Sequence, residues 1–150
     1  MMPTEPIGRL DHIAFAVHSI DQARTFFEGA LGAKFRYVTL GRGGGFRYAV
    51  LDLADFTIEL LEPVDPKGFV GTFLEKRGEG MHHITLQVPE LGEKVSFLEG
   101  QGLRIVDKHE QDSRLIEAFI SPKSACGVIF QLAETQPALN NEPYWQQEKK

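Results

Sequence analysis

A single cysteine, Cys126, stands in a chain of 150 residues. No disulfide can form within the chain, and a reducing, cytoplasmic location is the expectation. Its neighbours, "SACGVIF", read as a loop entering a strand rather than as the setting of a reactive thiol. Long apolar runs are missing as well. Nothing reaches the ~20 apolar residues that would cross a bilayer, and the opening "MMPTEPIGRL" lacks the apolar stretch of a signal peptide. A soluble, unprocessed protein with no membrane partner is expected. Nor is there an excess of basic charge: 16 Lys and Arg stand against 21 Asp and Glu, a formal net charge of −5. That balance argues against a nucleic-acid partner, whose phosphates require a basic stripe.

What remains is the composition of a globular protein, 42% hydrophobic with 15 Gly and 8 Pro, long enough to bury roughly 70% of its unfolded surface. Within it, "LDHIAFAV" (10–17) sets His12 in an otherwise apolar strand, and "MHHITLQV" (81–88) does the same with His83. A buried imidazole needs partners, because each unsatisfied polar atom costs on the order of 1–3 kcal/mol.

The two stretches belong to a duplication. Laying 10–32 over 81–103 pairs His12 with His83, Ile13 with Ile84, Val17 with Val88, Phe26 with Phe97, Glu28 with Glu99 and Gly29 with Gly100. Farther on, "IELLE" (58–62) falls over "FQLAE" (130–134) with one extra residue in the second copy. Each copy opens with a strand of period two. In the first copy a helix follows, with Ser19 as N-cap, Ile20, Ala23, Phe26, Phe27 and Ala30 as its apolar face and Gly32 as its stop. "LGEKVSFLEGQG" repeats the pattern more weakly.

Three further strands fit each half, near 34–40, 46–53 and 56–62, then 104–109, 114–121 and 127–133. "GRGGG" (41–45) reads as a hairpin loop, since no helix follows it. The expected fold class is α+β, built from two βαβββ modules. The first repeat spans about 8–62, a linker with a short helix 63–80, and the second repeat 81–134. A polar tail, 135–150, is frayed or laid over a partner, with Trp145 as an anchor.

Strand parity selects the candidate site. Ile13, Phe15, Val17 and Ile84, Leu86, Val88 are large and apolar, so they pack under the helices and His12 and His83 face the other way. Phe56, Ile58 and Leu60 likewise send Glu59 to the histidines' face, and Val128, Phe130 and Leu132 send Gln131 there. Two imidazoles, a carboxylate and an amide make a mixed N/O set able to hold one divalent metal ion with positions left for water or substrate. The set suits Co, Ni, Zn, Mn or Fe. Ile116, Ala118 and Ile120 fit a core face, which turns Glu117 toward the cavity. His18, His82 and His109 lack the symmetry and read as surface or strand-end residues.

The residues resemble the vicinal oxygen chelate superfamily (glyoxalase, bleomycin resistance, dioxygenase), most closely methylmalonyl-CoA epimerase. "GRLDHIAFAVHSIDQA", "IELLEP", "FLEKRGEGMHHITLQV" and "SPKSACGVIFQL" carry the likeness, over about residues 8–134. The resemblance implies that the two βαβββ modules form a curled mixed sheet around a central metal site, the metal held by His12, Glu59, His83 and the residue at Gln131. It also implies enolate chemistry on a small acid, ester or thioester such as an acyl-CoA, and a homodimer. The family usually carries Glu where Gln131 stands, and an amide is not a usable general base. Glu59 and Glu117 are then the carboxylates offered for proton transfer, Glu117 standing where the family tends to be apolar. Arg42, Arg47, Lys67, Arg77 and Lys123 are available to phosphates. A glyoxalase I-type lyase or isomerase, a two-His-one-carboxylate iron oxygenase and a non-catalytic ligand-binding protein are the alternatives.

Overall fold

Alternation of apolar and polar residues along the chain produces eight strands, and the computed structural model describes them within residues 7–134 and 143–147. The first βαβββ run is β1 (Leu10–Ala16), α1 (Ile20–Arg24), β2 (Lys34–Leu40), β3 (Phe46–Leu53) and β4 (Phe56–Pro63). A connecting helix, α2 (Phe69–Arg77), precedes the second run: β5 (Gly80–Gln87), α3 (Leu91–Gly100), β6 (Ile105–Gln111), β7 (Arg114–Ile120) and β8 (Ile129–Ala133). A short helix, α4 (Tyr144–Gln147), follows. The fold class is α+β, as the periodicity requires. No helix among the described residues is long and apolar enough to cross a membrane.

The chain divides into two compact units, His12–His82 and the described residues of Met1–Asp11 with His83–Lys150. In the first unit the strands pair in the order β2-β3-β4-β1, with β1 and β4 parallel and the rest antiparallel. The second repeats this as β5-β8-β7-β6, with β5 and β8 parallel. Register makes the duplication concrete. Ala14 stands opposite Glu59 on β1 and β4, and Thr85 opposite Gln131 on β5 and β8. The extra residue of the second copy therefore falls between the paired strands and leaves their register intact. Residues just before and within β1 belong to the second unit, where the Gly8 N–H donates to the Gln87 carbonyl at 3.0 Å and the Gln87 N–H to Arg9 at 2.8 Å.

Ile58, Leu60, Ala49, Leu51, Val17, Ile20 and Phe27 form the core of the first unit, with Ile13 and Phe15 packed against it. Val88, Leu91, Val95, Ala118, Ile120 and Leu132 form that of the second, joined by Leu86 and Phe130. Phe56, expected on the core side, is instead 48% exposed, because it is the first residue of β4, next to the turn. Ser19 does cap α1, its side chain accepting the Gln22 N–H at 3.2 Å. Beyond Arg24, however, the helix widens into a π-helical turn over Thr25–Ala30. The Leu31 N–H reaches the Phe26 carbonyl, an i to i+5 bond. The wider turn rotates the apolar stripe: Phe27 stays buried against the Phe15 ring, whereas Phe26 and Ala30 face outward.

A third apolar cluster lies on the other face of the first unit. Val70 and Leu74 of α2 bury Ala14, Ala16 and Leu61, flanked by Phe46, Tyr48 and Phe73. The expected short helix of the linker thus belongs to the first unit and covers much of the face that carries His12.

In the second unit, the buried Asp11 carboxylate accepts the Gln87 amide at 2.6 Å and the Tyr144 N–H at 3.0 Å, and Trp145 is buried. Most of the tail named from the sequence lies outside the described residues.

Candidate metal and proton-transfer site

Parallel pairing of β1 with β4 puts the side chain of Glu59 beside Ala14, and His12 lies two residues earlier on the same face. The Glu59 carboxylate reaches back to it. His12 Nε2 and Glu59 Oε2 are 3.1 Å apart, with both residues buried. Strand parity anticipates the shared face, and the register of the parallel pair adds the direct contact.

The matching strands of the second unit behave differently. His83 and Thr85 share a face of β5, and both are buried. Thr85 stands opposite Gln131 and donates its hydroxyl to Gln131 Oε1 at 2.6 Å. Gln131 Nε2 in turn donates to Glu117 Oε1. Glu117 is the diagonal cross-strand neighbour of Gln131, since β7 and β8 pair Glu117 with Ala133 and Phe119 with Gln131. Glu117 therefore shares a face with Gln131, opposite the core formed by Ala118 and Ile120.

Among the buried side chains of ligating type, the first unit thus holds His12 and Glu59 in contact, and the second holds His83. Two imidazole nitrogens and a carboxylate oxygen fit a borderline divalent ion such as Zn, Co, Ni, Mn or Fe.

Thr85 was not singled out from the sequence. The available signal was its place in the duplication, a hydroxyl where the first copy carries Ala14. His18 is exposed and His109 half-buried, in keeping with surface or strand-end positions. His82 departs from that reading. Its ring packs against Phe69 and Phe73 of α2 at centroid distances of 5.4 and 4.9 Å. Burial, with a smaller contribution from the Arg77 charge, pushes its pKa down to about 4. Arg42, Arg47, Lys67, Arg77 and Lys123 are all exposed, with Arg47 paired to Glu62 and Arg77 over the Phe73 ring. Cys126 is exposed with φ of +58° in the loop before β8, as its flanking residues suggest.

The profile of the glyoxalase/bleomycin resistance protein/dioxygenase superfamily matches residues 11–117. The chain belongs to this superfamily. Within it, the uncharacterized protein YqjC of Bacillus subtilis is 34% identical over 138 residues, covering 91% of this chain and 99% of YqjC. A crystal structure of methylmalonyl-CoA epimerase from Mycobacterium tuberculosis superposes with a TM-score of 0.77 at 30% identity, covering 91% of this chain and 94% of that one. A variant of the Streptomyces coelicolor methylmalonyl-CoA epimerase, solved in complex with 2-nitronate-propionyl-CoA, gives 0.74 at 28% identity over 87% and 99%. Superfamily relatives thus include enzymes, and one of them holds an acyl-CoA analogue.

Proposed function

We propose that this chain is a divalent-metal-dependent enzyme that moves the acidic α-proton of a 2-substituted acyl-CoA, in the manner of methylmalonyl-CoA epimerase. The observation that carries the reading is the buried His12–Glu59 pair on a strand face whose duplicate presents His83 beside a second polar array. His12, Glu59 and His83 would hold the ion. When bound, a divalent metal supplies Lewis-acid stabilisation to the oxygens of an enolate.

The chain's own carboxylates handle the proton. Ionised Glu117 accepts the α-proton as the C–H bond breaks, its electron pair passing into the carbonyl π-system while an O–H bond forms on the carboxyl. Return of a proton to the opposite face of the planar carbon inverts the centre. Glu59 is the second carboxylate on offer for that return: released from the ion and carrying a proton taken from solvent, it delivers that proton to the carbon and is left ionised while Glu117 keeps the one it took, whereas Gln131, an amide, can neither take nor give a proton at neutral pH. Exposed Lys67 and Lys123 are cations offered to the phosphates of coenzyme A.

The test is solvent exchange. Protein purified without chelator should hold about one divalent ion per chain, and in D2O it should place deuterium at C2 of methylmalonyl-CoA without redox change. Glu117→Gln and Glu59→Gln should each slow exchange by about 10²–10⁴-fold. A chain that takes up none of Co, Ni, Mn, Zn or Fe(II) and exchanges nothing would instead be a non-catalytic ligand-binding protein.

A further inference from the structure

The second unit carries three polar side chains where the first carries a different trio at the same register positions. Ala14, Glu59 and Tyr48 of the first unit correspond to Thr85, Gln131 and Glu117 of the second, since Tyr48 pairs with Leu61 as Glu117 pairs with Ala133. In the first unit the carboxylate sits on the last strand and reaches His12 directly. In the second the last strand bears an amide, and the carboxylate stands one strand farther along, on β7.

The amide joins the two. Thr85, 2% exposed, donates to Gln131 Oε1 at 2.6 Å, and Gln131 Nε2 donates to Glu117 Oε1. These contacts give the amide a fixed polarity. An ionised carboxylate only accepts hydrogen bonds, so the NH2 end must face Glu117 and the carbonyl end must face the Thr85 hydroxyl. With one lone pair of Oε1 committed to Thr85, only the second would be left for any other partner. A full flip would set the amide oxygen against the carboxylate, two acceptors with no proton between them.

We propose that Gln131 is a positioning residue and not the fourth metal ligand: anchored by Thr85, it holds the Glu117 carboxylate in the orientation from which it takes the α-proton. The inference rests on the proton-transfer reading above. It assigns Thr85 a part in the reaction as the group that sets which end of the amide meets the base, and it explains how a chain with an amide at position 131 retains a usable carboxylate in its second half. Glu117 and Gln131 function together where a lone carboxylate on the last strand would otherwise serve.

The experiment uses two readouts on the full chain, with Thr85→Val, Thr85→Ser, Gln131→Ala, Glu117→Gln and the unaltered protein. Metal-free protein is titrated with Co(II) and followed by visible absorption, and exchange into methylmalonyl-CoA is measured in D2O as kcat and KM. Gln131→Ala and Thr85→Val should each bind one cobalt with an unchanged spectrum while kcat falls about 10–100-fold and KM moves little. Thr85→Ser, which keeps the hydroxyl, should restore most of kcat. The side-chain amide resonances of Gln131 should shift in Glu117→Gln. A changed cobalt spectrum or markedly weaker cobalt binding in Gln131→Ala makes Gln131 a ligand and overturns the proposal. So does an unaltered kcat in Thr85→Val, or Gln131 amide resonances that ignore Glu117→Gln. If the unaltered protein binds cobalt but exchanges no deuterium, the functional reading itself has failed, and the positioning role goes with it.

Discussion

On the face that carries His12, the first unit sets Ala14, Ala16 and Leu61 beneath Val70 and Leu74 of α2. At the matching positions the second unit sets Thr85, Gln87 and Ala133, with Gln131 and Glu117 alongside, and binds Gln87 to the buried Asp11 carboxylate. One backbone register thus supports two kinds of interior: an apolar one sealed by a helix, and a polar one knit by side-chain hydrogen bonds. The difference teaches that duplication preserves which positions face together, while the side chains at those positions divide the labour. The first half contributes a directly paired imidazole and carboxylate, and the second an imidazole and a carboxylate steadied through an amide.

The largest expected effect comes from making the halves alike. Glu59→Gln gives the first unit the amide of the second and removes a charged donor from the proposed metal set. Cobalt affinity should fall by more than about 100-fold, beyond what loss of an outer-shell partner causes. A fall of less than tenfold by calorimetric titration would mean that the first unit does not supply the metal's carboxylate.

Next comes the apolar seal. Leu74→Ala should cost about 2–5 kcal/mol by urea denaturation, since Leu74 is buried and its removal leaves a cavity beneath α2. A cost under about 1 kcal/mol would show that α2 lies loosely on the first unit. The polar interior is probed by Asp11→Ala, which takes an acceptor from both Gln87 Nε2 and the Tyr144 N–H. A loss of about 1–3 kcal/mol per stranded donor is expected. Destabilisation no greater than that of an exposed Asp→Ala change, such as Asp21→Ala, would break the contrast between the two interiors.

A smaller effect separates the halves by pH. The folded pKa of His82, about 4, lies below its ordinary 6.5, so the unfolded chain takes up a proton first as pH falls. The stability from neutral His82 is complete above about pH 6.5, declines through the interval and is lost below about pH 4. The slope is at most about 1.4 kcal/mol per pH unit. Measured with chelator present, His82→Phe should flatten the loss of stability between pH 7 and 5, and parallel curves for the two proteins would sink the assignment. Smallest of all is Arg47→Ala, which removes an exposed pair with Glu62 on the β3–β4 ladder and should shift stability by no more than about 1 kcal/mol.

Much of this was legible in the chain. Period-two alternation identified the core faces of the strands bearing His12, Glu59, His83 and Gln131, because a half-buried strand must send its apolar set one way. The duplication supplied the four-stranded unit twice. Less legible was the π-helical turn that exposes Phe26, since a helix stripe with i, i+3, i+4 spacing does not reveal a local change to i+5 bonding. The packing of half-buried His82 against Phe69 and Phe73 was also hidden, because α2 returns across the strand face from a segment whose composition suggests only a linker.

By itself, then, the sequence determined the α+β class, the doubled βαβββ plan and the side of each strand on which His12, Glu59, His83, Gln131 and Glu117 fall. Those properties follow from local periodicity and need no partner. Only the tertiary structure decided that Thr85 meets Gln131, that Gln131 meets Glu117, and that Glu59 reaches His12. These pairings depend on the register between strands tens of residues apart, which is set by ladders and packing acting across the whole sheet. Alternation within one strand carries no information about that register.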